Sequence, residues 1–155
     1  MHSVDRHLSN HWRLACLMAA LVACGGLQAG AATVSTHTFG RYEIILQEGL
    51  PIAAGEMLGT VRRQTGLPEY PLLLRTQKRL LELSILGPGN RPIRLASTPF
   101  PGQRATGAAT TRLLVQRSAR QDETLTLWVR QANAPQEVSL AVDLRHLERM
   151  LEGPR

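Results

Sequence analysis

Apolar and polar residues alternate strictly in the last third of this chain. In Thr124–Arg130, Leu125, Leu127 and Val129 fall on one side; Thr124, Thr126 and Arg130 fall on the other, with Trp128 among them. From Glu137 to Leu144, Val138, Leu140, Val142 and Leu144 alternate with Glu137, Ser139, Ala141 and Asp143. Successive side chains of a strand point to opposite faces, so each stretch predicts a strand with one buried face and one wet face. Asn133-Ala134-Pro135 supplies a turn between them. Arg112 to Gln116 is another apolar run, joined to the Leu125 strand by a polar loop over Ser118 to Glu123, and the three make a predicted meander.

A second hairpin precedes it. Leu81, Leu83 and Ile85 alternate with Glu82 and Ser84, then Gly87-Pro88-Gly89-Asn90 turns the chain, and Ile93 and Leu95 alternate with Arg94. Glycine supplies a positive φ and proline fixes its own, which suits that turn. Pro92 has no N–H to give a ladder, so its strand begins there or lies at a sheet edge. Tyr42 to Gln47 adds a strand, and Leu72 to Arg75 is either another or the approach to the strand at Leu80.

Two stretches carry helical spacing. Ala54, Met57, Leu58 and Val61 fall at i, i+3, i+4 and i+7, with Pro51 ahead and Gly66 and Pro68 behind. Gly55 and Gly59 weaken that helix by ~1 kcal/mol each relative to alanine. Leu144, Leu147, Met150 and Leu151 share a face at the C-terminus, stopped by Gly153-Pro154. Pro99 to Ala109, rich in Pro, Gly, Ala and Thr, is the longest irregular segment. The fold class expected is therefore α+β: a mainly antiparallel sheet of five to seven strands, one helix after the first strand, and a short C-terminal helix. The alternative is an all-β sandwich, in which Ala53 to Thr65 is not helical.

The beginning of the chain is organised differently. Leu14 to Ala23 is an uncharged, nearly all-apolar run preceded by Arg13 and followed by the small residues around Gln28-Ala29-Gly30-Ala31-Ala32. A cationic start, a short apolar middle and an Ala-x-Ala-like exit predict a secretory signal peptide over residues 1–31. A membrane span is the competing reading, but Gly25, Gly26, Gln28 and Gly30 dilute the second half, and a span needs roughly 20 predominantly apolar residues. No transmembrane span is expected in the mature chain.

Leu21-Val22-Ala23-Cys24, followed by Gly25, resembles the lipobox of bacterial lipoproteins. That resemblance implies a leader of residues 1–23 and lipidation of Cys24. The other reading makes Cys24, like Cys16, one more apolar residue of a leader that is removed. Residues 32–40 are then a flexible N-terminal segment, and 41–152 form a single β-rich domain. Its size lets it bury roughly two-thirds of its unfolded surface without cross-links. If both cysteines leave with the leader, neither a disulfide framework nor a thiolate metal site is open to it.

Loss of Arg6, Arg13 and Asp5 leaves 16 basic against 11 acidic residues, and Lys78 is the lone lysine. Arginine's planar fork suits phosphate and carboxylate, which admits an anionic lipid or glycan as ligand. The charges are dispersed along the chain, however, as on an ordinary solvated surface.

Recognisable catalytic patterns are missing. His2, His7 and His11 lie in the leader, His37 in the N-terminal segment, and His146 three residues after Asp143 at a helix start. Two histidines without cysteine make a poor zinc set, so no metal and no cofactor is expected. There is no Gly-x-Ser-x-Gly, and Gly87-Pro88-Gly89 lacks the lysine and helix of a phosphate loop. Scattered aromatics give no stacking platform for nucleic acid.

Binding is what remains. Trp128 on the wet face of its strand is a candidate contact residue, with Arg112 and Arg130 as cationic neighbours. The expected protein is exported, periplasmic or secreted, anchored to the outer membrane if Cys24 carries lipid. It is read as a non-enzymatic envelope protein that binds another envelope protein as an accessory, assembly or chaperone-like factor. The alternatives are a periplasmic binder of an anionic lipid or cell-wall ligand and a small hydrolase of unrecognised type. The last would need a concave pocket holding a perturbed carboxylate or histidine. Nothing across the mature region resembles a known family.

Overall fold

The computed structural model describes residues 32–100 and 112–153. Ten strands and one helix follow in order: β1 Thr33–Phe39, β2 Tyr42–Glu48, β3 Ile52–Ala53, β4 Met57–Arg63, β5 Glu69–Gln77, β6 Leu80–Leu86, β7 Pro92–Pro99, β8 Arg112–Gln121, β9 Thr124–Gln131, β10 Glu137–Asp143 and α1 Leu144–Glu152. They form a six-stranded sheet in the order β1-β2-β4-β5-β6-β7 and a four-stranded sheet in the order β10-β9-β8-β3, antiparallel throughout.

The α+β expectation fails on its first helix and its single sheet. Ala54–Glu56 is a turn and Met57–Arg63 is strand β4. The helix-like spacing has a specific cause. A β-bulge shifts the register between Met57 and Gly59, so Leu58 and Val61, three apart, both reach the core while Met57 stays 56 % exposed. The all-β alternative had the consequence that Ala53 to Thr65 is not helical, and it is not; α1 nevertheless closes the chain.

Two further boundaries move. Residues 32–40, expected as a flexible segment, hold β1, laddered to β2 from Thr33↔Glu48 to Phe39↔Tyr42. The polar loop expected over Ser118 to Glu123 is strand as far as Gln121, with a two-residue turn at Asp122-Glu123. Asp122 takes a left-handed conformation there, φ 53°, which aspartate tolerates through its short polar side chain. The leader, Cys24, and all but the first two residues of the Pro99–Ala109 segment lie outside the described residues.

One core lies between the sheets. The larger sheet gives it Ile44, Leu46, Val61, Leu72, Leu74, Leu83 and Ile85; the smaller gives Leu113, Val115, Leu125, Leu127, Val129, Leu140 and Val142. Helix α1 adds Leu144, Leu147 and Leu151. Asp143 caps it: Oδ1 accepts from the N–H groups of Arg145 and His146 at 3.1 Å each, a contribution of ~1 kcal/mol. Gly153, at φ 78°, ends it. Among the described residues no helix is long and apolar enough to cross a membrane.

Candidate functional site

The outer face of the smaller sheet is set by the β8–β9 hairpin. Leu127 and Val129 point into the core, so Trp128 between them points away from it. The tight turn places Arg117 opposite Trp128, and Ser139 of β10 flanks the indole on its other side. The Arg117 guanidinium lies over the ring, 4.3 Å from its centroid, and reaches Glu137 at 3.2 Å. A cation held over an indole is attracted by the ring's negative face, by ~0.5–1 kcal/mol at an exposed site. Trp128 is half-buried, and among the described residues the Arg117 side chain lies over its ring.

The other two arginines behave differently. Arg130 donates from Nε to Gln116 Oε1 at 3.2 Å, and from one terminal nitrogen to the carbonyls of Gln131 and Ala132 at 3.0 and 3.1 Å. It caps the β9–β10 connection. Arg112 is exposed at the far end of β8, beside Ala53 of β3, five residues along the strand from Arg117. The structure brings Arg130 near Trp128, leaves Arg112 apart, and supplies Arg117, which sequence reasoning missed. Arg117 and Trp128 are each the fifth residue counted away from the turn, a match that emerges only once the turn is placed at Asp122-Glu123.

A second polar cluster sits where β1 meets β8. Ser118 Oγ donates to Glu48 Oε1, Ser35 Oγ donates to the same oxygen at 2.8 Å, and His37 Nε2 lies 2.9 Å from Ser118 Oγ. With its single proton given to Glu48, Ser118 accepts from His37, so Nε2 carries the hydrogen. These side chains thus clasp β1, β2 and β8 together. Burial pushes the His37 imidazole below its ordinary value; Glu48 opposes that shift and Arg120 adds to it.

Stability therefore has a defined pH dependence. The unfolded chain protonates His37 more readily than the folded one, so the stability this group contributes is present above the ordinary imidazole value and falls as acid is added below it. The urea midpoint should drop as pH is lowered from about 7 to about 5, and His37→Gln should flatten that part of the curve. An unchanged slope in the variant would remove His37 as its source.

An open cavity of about 590 Å³ lies at the C-terminal end of α1, lined by Arg41, Glu148, Arg149, Glu152 and Gly153. Neither Trp128 nor His37 is among the residues that line it. Among the described residues no three His, Cys, Asp or Glu side chains gather in a way that would hold a metal ion. No family model matches the chain, and neither the curated proteins nor the solved structures provide a match.

Proposed function

We propose that this is an exported, non-enzymatic envelope protein that binds another protein, serving as an accessory, assembly or chaperone-like factor of a secretion or surface structure. The leader-like pattern of residues 1–31 supports the export half of that reading. The observation that carries the binding half is Trp128, presented on the outer face of the smaller sheet beneath an exposed arginine. Tryptophan and arginine are the residue types that dominate contact energies, because a rigid ring and a planar guanidinium bury much surface at small entropic cost. Arg117 shields the indole in the free protein, and a partner that draws Arg117 aside gains the ring face. The anionic-ligand alternative has weaker support, since Arg62, Arg94, Arg117 and Arg145 already pair with carboxylates.

Pull-down from an envelope extract, followed by intact-mass analysis of bait and captured chains, tests the proposal. The wild type should retain a protein partner, and Trp128→Ala should lose it with an unchanged circular dichroism spectrum. Capture that survives in a folded Trp128→Ala protein overturns the reading. The bait's own mass separates lipidation at Cys24 from cleavage near Ala31.

A further inference from the structure

The two edges of the larger sheet are built differently. Edge strands are templates for pairing with another chain, and native proteins blunt them with charge, proline or bulges. Strand β7 has all three: Pro92 and Pro99 at its ends, Arg94 within it, and an extra residue, Leu95, where its register against β6 shifts. Strand β1, Thr-Val-Ser-Thr-His-Thr-Phe, has no proline, bulge, lysine, arginine or carboxylate, and it is rich in β-branched residues.

Its backbone is available as well. The turn at Gly40-Arg41 makes Phe39↔Tyr42 the pair that closes the hairpin, so Thr33, Ser35, His37 and Phe39 bond to β2. The N–H and C=O groups of Val34, Thr36 and Thr38 then point away from it. Arg120 of β8 donates to the Thr38 carbonyl, as that orientation requires. Among the described residues no backbone group meets Val34 or Thr36 on this side, and the Val34 side chain is 66 % exposed.

We propose that two copies of this chain pair through β1, antiparallel about a two-fold axis at Thr36, so that the larger sheet continues from one copy into the other. The strand is its own complement in that register. Thr36 meets Thr36 and Val34 meets Thr38, so each outward-pointing backbone group finds one of opposite kind. The facing side chains are threonine hydroxyls and methyls with no like charges opposed, a favourable cross-strand set. Among the described residues Arg120 is the one obstacle: it is exposed, its other bond is to the Asp122 carbonyl, and it must leave Thr38 for the ladder to complete. A contact of one short strand from each copy falls below the ~1,200 Å² that separates weak from stable interfaces, so the dimer is a weak one. It is independent of Trp128, which lies on the other sheet.

Sedimentation equilibrium of the purified chain from roughly 10 μM to 1 mM covers the range for such an interface. The wild type should pass from monomer to dimer. Thr36→Lys and Thr36→Asp each place like charges at the axis and should weaken association at least tenfold, while an equimolar mixture of the two should dimerise more strongly than either alone. Thr36 is exposed, so both variants should melt like the wild type, and Arg120→Ala should tighten the dimer. A wild type that stays monomeric to 1 mM, even one that captures some unrelated extended segment, overturns the proposal. So does a dimer indifferent to Thr36→Lys.

Discussion

Gly59→Ala should lower the stability of the domain by about 3 kcal/mol, at the upper end of the range for forcing an extra methyl group into a packed site. A β-carbon at this position would stand 2.0 Å from the carbonyl oxygen of Ile45 and 3.0 Å from its carbonyl carbon. Those atoms belong to the backbone of β2, the strand laddered directly to β4, so they cannot swing aside as a side chain tip would. Relief requires parting the two strands in the middle of the larger sheet. Gly55 provides the control: it has a positive φ of 89° but open space around it, so alanine there meets only conformational strain, about 1 kcal/mol. Urea unfolding of both variants decides the matter. Equal costs at the two positions would mean that β2 and β4 do not approach as closely as described.

Leu127→Ala should cost a similar or larger amount, about 3–4 kcal/mol, within the span measured for leucine truncation in packed cores. Leu127 is 1 % exposed, lies midway along β9, and faces the larger sheet. Its neighbour Trp128 occupies the opposite face, and Trp128→Ala should cost only about 1 kcal/mol, for lost contact with Arg117. Adjacent residues with such different costs are a direct assay of which way β9 presents its sides. Equal denaturation midpoints for the two variants would make the indole part of the core and remove the basis for the proposed docking role.

What could be read from the chain before its fold was known depended on whether burial left a regular imprint. Strands β9 and β10 and helix α1 bury one clean face, so Leu125, Leu127, Val129, Leu140 and Val142 recur at period two and Leu144, Leu147 and Leu151 at helical spacing. Strand β4 misled because a bulge lets Leu58 and Val61 point the same way. Strand β1 left almost no imprint: its inward residues are Ser35, His37 and Phe39, and only the last is buried. The outer half of β8 runs beside β1, where Ser118 meets His37 and Glu48, so polarity there marks a clasp and not a loop.

The candidate contact patch followed the same logic. Trp128 stood out because alternation fixes its face. Arg117 did not, because its proximity depends on the hairpin register, which in turn depends on a two-residue turn without glycine. The contact between His37 and Ser118 joins residues 81 positions apart, a distance over which no local spacing carries information.

The order in which the strands occur also bears on when this polypeptide can fold at all. Apart from β3, everything in the smaller sheet comes from beyond Arg112, while the larger sheet is complete by Pro99. Leu72, Leu74 and Leu83 therefore wait for Leu125, Leu127 and Val142, which emerge last during synthesis. A nascent chain of this design therefore lacks most of the cover for its greasy side until its final strands exist.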